Sequence, residues 1–143
     1  MDDIQDYYLT TPSKAILDMF KEFNFPITVG IIGNKFGADA SIVNYFYNNL
    51  VYLPSWELEI ASHGFNHEDF STMTLAQQVT AMNGSINLIR TVLPISPIKT
   101  FIPPFNSFNQ DTITASKQTG FTYFSAQIET DYTTPYLMSG TFP

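Results

Sequence analysis

The sequence predicts an α/β fold in which helices alternate with the strands of a parallel sheet. Three observations carry that prediction. Segments with helical and with strand-like periodicity alternate from the N-terminus to about residue 125, each kind four times. The first strand-like run, residues 27–32 (Ile-Thr-Val-Gly-Ile-Ile), is almost continuously β-branched, as in a strand covered on both faces. Strands joined by helical crossovers lie parallel. A doubly wound open sheet has the same alternation and competes with a barrel-like closure.

The 143 residues read as one domain, and a chain of this size buries about two-thirds of its unfolded surface. Hydrophobic residues make up 44% and aromatics 15%, which excludes disorder as the main state. Six basic residues against thirteen acidic ones give a net charge of −7. No basic patch can be assembled, so nucleic acid and anionic membrane are excluded as partners, while a divalent cation suits the acidic balance. Cysteine is absent, which removes disulfides, thiolate metal sites and cysteine nucleophiles. No apolar run is long enough to span a membrane, and the acidic start (Met1-Asp2-Asp3) is not a signal peptide.

The elements follow in order. Thr11 caps a first helix with Pro12 in its opening turn; Ala15, Ile16, Met19, Phe20 and Phe23 form its apolar face, and it ends before Pro26. Strand 27–32 follows, then a loop between Gly33 and Gly37 and a second helix over 40–50. Residues 57–62 alternate like a half-buried strand. The longest periodic segment, 74–93, is a helix weakened at Gly84 and stopped by Pro94 and Pro97. It contains a weak glycosylation pattern, Asn83-Gly84-Ser85. Residues 99–102 are a short strand ended by Pro103-Pro104. Asn109 caps a helix that runs through Thr119 to Gly120, and 121–125 is the last strand. From Glu129 the chain is rich in Thr, Tyr and Pro and loses periodicity.

The chemistry concentrates at Ser62-His63-Gly64-Phe65-Asn66-His67-Glu68-Asp69. Both histidines of the chain are here, four residues apart, where a strand runs into a loop that Gly64 can turn sharply. Two imidazoles leaving a strand end can converge on one divalent cation. The plainer readings are a polar surface loop or two helical histidines at i and i+4. Glu68 and Asp69 read as capping or loop residues rather than ligands. In parallel α/β folds ligands meet the C-terminal strand ends, where His63, His67 and Pro103-Pro104-Phe105-Asn106 fall. Asp2 and Asp3 would join them if a strand preceded them. In isolation, Asp2-Asp3 reads as a solvated terminus and the double proline as a strand stop.

Taken together, Asp2-Asp3, Ser62-His63-Gly64-Phe65-Asn66-His67 and Phe101-Ile102-Pro103-Pro104-Phe105-Asn106 resemble, in order and separation, three successive motifs of the polysaccharide deacetylases, the NodB-homology domain. The resemblance covers nearly the whole chain. It implies a partial, distorted (β/α) barrel over 1–143, incomplete at both ends. It implies metal-dependent hydrolysis of N- or O-acetyl groups on a polysaccharide or oligosaccharide such as chitin or peptidoglycan, acting on carbon–nitrogen non-peptide bonds. Carried over residue by residue, Asp3, His63 and His67 would be the metal ligands, with zinc ahead of cobalt or nickel. Asp2 would be the general base, and the Phe105 backbone N–H would help hold the oxyanion. Family members are often secreted or associated with the cell envelope. The chain departs from the pattern in several places. Ile4-Gln5 follow the Asp pair where glycine is common. Ile102 stands where an arginine commonly steadies the base. The leading strand and the leucine-x-histidine motif with its general acid are absent, and the nearest downstream acids, Asp111, Glu129 and Asp131, sit in no motif. Two other readings therefore stay open: a catalytically impaired relative that binds metal or carbohydrate, and a metal-free structural fragment.

Overall fold

A computed structural model describes residues 1–53, 55–127 and 136–137. Its elements are α1 (Thr10–Glu22), β1 (Ile27–Ile31), α2 (Ala40–Tyr52), β2 (Leu58–Ser62), α3 (Leu75–Val92), β3 (Thr100–Phe101), α4 (Gln110–Gln118), β4 (Tyr123–Phe124) and β5 (Tyr136–Leu137). The strands form one sheet in the order β1-β2-β3-β4-β5. The first four are parallel, with Ile27 beside Leu58, Ser62 beside Phe101 and Thr100 beside Tyr123. The predicted α/β alternation is therefore present, and among the described residues the sheet stays open. The difference is β5, which pairs antiparallel to β4. An antiparallel neighbour needs no helical crossover, and the chain after β4 carries no helical periodicity. The remaining residues beyond 127, Glu129 and Asp131 included, lie outside the described residues. No helix among the described residues is long and apolar enough to cross a membrane.

The core lies between sheet and helices. Val29 and Ile31 of β1 are fully buried with Leu17, Phe46, Met82, Ile89 and Phe101. Local signals set the ends of two helices: Thr74 and Asn109 each form a reciprocal capping box with the residue three positions on. Gly120 (φ 88°) closes α4 in the left-handed conformation, where Phe121 N–H donates to Ser116 O at 3.0 Å.

Two expectations fail at α1. Its N-cap is Leu9, without a side-chain bond, instead of Thr11. The neighbouring Thr10 hydroxyl donates to Asp39 at 2.8 Å, across to the start of α2. The predicted apolar face also turns outward, with Ile16, Met19 and Phe23 exposed and Leu17 buried. The reason is the contact with α2: Lys14 and Lys21 lie over the Tyr45 ring, and the Tyr45 hydroxyl donates to Asp18 at 2.8 Å. Those polar contacts orient the helix and leave its apolar stripe uncovered. The glycosylation pattern is structural, since Ser85 is buried and its hydroxyl pairs with that of Ser62 at 2.8 Å.

No complete strand leads into Asp2-Asp3, yet the pair is not frayed. Gly30 N–H donates to Met1 O at 2.8 Å, Ile4 N–H to Gly30 O at 3.1 Å and Ile32 N–H to Ile4 O at 3.0 Å. Ile4 forms a parallel bridge with Ile31. The first four residues thus lie along the outer edge of β1 and deliver both aspartates to the C-terminal end of the sheet.

Candidate metal centre

His63 follows directly on β2. Its N–H donates to Ile31 O at 2.8 Å, which continues the ladder to β1. The residue is only 2% exposed. Nδ1 lies 2.8 Å from Ile102 O, and a carbonyl only accepts, so Nδ1 carries the proton. Burial pushes the ring below the ordinary histidine range, opposed by the Ile102 bond and then by the Asp2 and Asp3 charges. The neutral ring therefore presents the Nε2 lone pair to Asp3 Oδ1, 3.5 Å away. A metal ion between these two electron-rich atoms would satisfy both.

Gly64 (φ 79°) begins the turn that brings His67 back. The loop is held on two sides. Gly33 N–H donates to Gly64 O at 3.0 Å and Asn34 N–H to Phe65 O at 2.8 Å. The Phe65 ring lies against Gly84 of α3, where a Cβ would approach it to 2.9 Å. That contact accounts for a glycine inside the longest helix. His67 (φ 68°) is in the left-handed region, so the i, i+4 helical reading does not hold. Its Nε2 lies 3.0 Å from Asp3 Oδ1. Asp3, His63 and His67 each offer one ligand atom, and all three atoms lie within 4.8 Å of one another. The two edges at 3.0 and 3.5 Å bracket the roughly 3.3–3.4 Å ligand separation of a tetrahedral ion with bonds of about 2.0–2.1 Å. One carboxylate and two imidazoles are a borderline-hard donor set suited to zinc or its neighbours.

The other site residues surround this triad. Asp2 and Phe105 line the same cleft of about 520 Å³, which Ser125, Ala126 and Gln127 also line. Phe105 is 67% exposed, and its ring meets that of His67 edge-on at 4.4 Å between centroids. It occupies the left-handed region (φ 58°), and its N–H has no acceptor among the described residues. Asp3 (φ 60°), His67, Phe105 and Asn106 (φ 55°) all have positive φ, a concentration of backbone strain around one point. Glu68 and Asp69 support the loop: Glu68 accepts from Phe65 N–H at 3.0 Å, and Asp69 accepts from the Ser107 hydroxyl at 2.6 Å and from Ser71 N–H at 3.0 Å. The Ser107 bond, then that of Ser71, holds the Asp69 carboxyl below its usual range. A second depression of about 580 Å³, lined by Leu58, Pro94, Pro97 and Lys99, lies toward the N-terminal strand ends and gathers no ligand set. Sequence reasoning missed Gly30, which opens the space beneath Asp2 and His63, and the lining at 125–127. A glycine within a β-branched run was the one available signal.

The family profile of the polysaccharide deacetylases matches residues 2–124. The chain belongs to the polysaccharide deacetylase family. Solved structures agree at the level of fold. A family 4 carbohydrate-esterase pseudoenzyme from Bacillus anthracis superposes with a TM-score of 0.64 at 14% identity, over 82% of this chain and 39% of that one. A de-N-acetylase from Aggregatibacter actinomycetemcomitans gives 0.63 at 18% identity, over 87% and 60%. A family 4 acetyl xylan esterase from Clostridium thermocellum, in complex with a cobalt ion, gives 0.63 at 19% identity, over 80% and 51%. The chain thus spans between about two-fifths and three-fifths of the length of these structures. No curated protein sequence matches it significantly.

Proposed function

We propose that this chain carries the metal centre of a deacetylase acting on acetylated polysaccharide or oligosaccharide. The observation that carries the reading is the convergence of Asp3, His63 and His67 at the C-terminal end of a parallel sheet. These three residues would hold a divalent cation, zinc before cobalt or nickel. When bound, it would lower the pKa of a water and polarise the acetyl carbonyl. Asp2, which lines the same cleft, would take a proton from the attacking water as the new C–O bond forms. The Phe105 N–H, which has no acceptor among the described residues, would donate to the oxygen that gains charge. Breaking the C–N bond needs a proton on the leaving nitrogen, which protonated Asp2 would return. The products are acetate and the free amine.

A second reading has its own support. Ile102 stands where the family's base-steadying arginine is common, and the chain has no third histidine to serve as general acid. A relative that binds metal but turns over slowly fits both facts. Zinc titration of the protein and its His63→Ala variant, followed by assay of acetate release from an N-acetylated chito-oligomer, separates the readings. Stoichiometric zinc binding lost in His63→Ala, with acetate release, supports the deacetylase. Zinc binding without acetate supports the impaired relative. No zinc binding refutes both and leaves a structural fragment.

A further inference from the structure

The turn Pro103–Ser107 holds two consecutive non-glycine residues, Phe105 and Asn106, at φ 58° and 55°. Single residues visit this region; adjacent pairs persist only where the surroundings impose them. Bonds within the turn, Asn106 N–H to Pro103 O at 3.2 Å and Ser107 N–H to Pro104 O at 3.0 Å, are those of two overlapping β-turns. The outside restraint is the Asn106 side chain. Its Nδ2 donates to Gln127 O at 2.9 Å and its Oδ1 accepts from Gln127 N–H at 2.6 Å. The carboxamide thus pairs with one backbone residue as a strand neighbour would, across 21 positions of sequence. On the other side the Ser107 hydroxyl ties the turn to Asp69, two residues after His67.

Both partners of the Asn106 clamp line the cleft that holds the triad. We infer that Asn106 is a positioning residue: it fixes the Phe105 peptide, so that its N–H faces the cleft, and seats Ser125-Ala126-Gln127 in the cleft lining. This rests on the deacetylase reading for its catalytic meaning, but the clamp itself is a statement about structure. Asparagine suits the post for two reasons. It tolerates the left-handed conformation, and its amide offers the donor and the acceptor that a backbone pair requires.

The test uses Asn106→Gly, which keeps the turn conformation accessible and deletes the clamp, and Asn106→Asp, which keeps only the acceptor. Three quantities are read: hydrogen exchange at the Gln127 amide, zinc affinity, and affinity of the zinc-loaded protein for acetate, the oxyanion product. In Asn106→Gly the Gln127 amide should exchange at least tenfold faster. Acetate should bind at least fivefold more weakly while zinc affinity changes less than twofold. Asn106→Asp should fall between glycine and the native residue in exchange rate. Unchanged exchange at Gln127 overturns the clamp, and unchanged acetate affinity with faster exchange overturns its role in positioning. Absence of zinc binding in the unsubstituted protein overturns the deacetylase reading instead, and the exchange measurement still decides the clamp.

Discussion

Gly30→Ala is a small substitution with a cost that can be worked from the structure. Gly30 lies in β1 where the strand passes beneath the site. A Cβ there would stand 3.2 Å from His63 Cβ, 3.2 Å from Ile102 Cδ1 and 3.3 Å from Asp2 Cβ. Carbon contacts are comfortable at about 3.5–4.0 Å, so three groups would have to retreat by a few tenths of an ångström. Ile102 Cδ1 ends a side chain and can shift, but the Cβ atoms of His63 and Asp2 move only with their backbones. Gly30 is bonded through its N–H to Met1 and through its carbonyl to Ile4. His63 is bonded through its N–H to Ile31 and through its ring to Ile102. Overpacking of this kind costs about 1–3 kcal/mol. Removing a glycine from a strand returns about 0.5–1 kcal/mol.

The balance is a net loss of about 1 kcal/mol, which lowers Tm by roughly 2–4 °C for a chain of this size. The effect on metal is larger, because ligand distances tolerate only about ±0.2 Å. Zinc affinity should fall at least about tenfold, or about 1.4 kcal/mol. Thermal unfolding without metal and competitive zinc titration read the two quantities separately. A variant with higher Tm and unchanged zinc affinity would refute the packing argument, since it would show that the glycine serves no steric purpose.

Gly33→Ala should be worse, because a Cβ there meets Ser85 Cα at 2.6 Å, and helix backbone cannot swing aside as a side chain can. Denaturant unfolding should show a loss of roughly 3 kcal/mol, and a loss below that of Gly30→Ala would contradict the ranking. The Asp69 carboxyl is held below its ordinary 3.8 by Ser107 and Ser71, so its contribution to stability is complete above pH 3.8 and is lost as pH falls through the lower folded value. Asp69→Asn should therefore lower Tm at neutral pH, and the gap to the native protein should shrink below pH 3.8; a gap independent of pH refutes the assignment.

What the sequence revealed and what it hid divide along the range of the interactions. The cap at Asn109 was legible because it is a bond between residues three apart. The histidine pair was legible because two ligand-type residues share one strand end. Strand lengths were not: β3 and β4 hold only two residues each, since ladder extent depends on which neighbours reach them. The face of α1 was misread because apolar periodicity shows which residues share a side, not which side meets α2. Phe65 gives Gly84 its purpose from another element, and Gln127 does the same for Asn106 from 21 residues away. Asp2-Asp3 stood out only through the family motif, and what fixes the pair is the edge of β1.

Ile102 joins these threads, because its backbone and its side chain serve different ends. Its N–H donates to Ser62 O at 2.9 Å and its carbonyl accepts from His63 Nδ1 at 2.8 Å. Both bonds survive any side chain that leaves the backbone in place. The side chain itself is half-buried beside Gly30, in the space that Asp2 Cβ also borders. Asp2 has no hydrogen-bond partner among the described residues, so nothing orients the proposed base. In Ile102→Arg an unbranched stem would lie beside Gly30 with less crowding than the β-branched isoleucine. The planar guanidinium could then bond the Asp2 carboxylate in bidentate fashion. If base orientation limits turnover, acetate release should rise at least about tenfold, a barrier change of about 1.4 kcal/mol. Zinc affinity should stay within about twofold, because the carbonyl that holds His63 is unchanged. Unchanged acetate release with intact zinc affinity would show that the isoleucine is not what restrains the reaction, and the search would move to the proton on the leaving nitrogen.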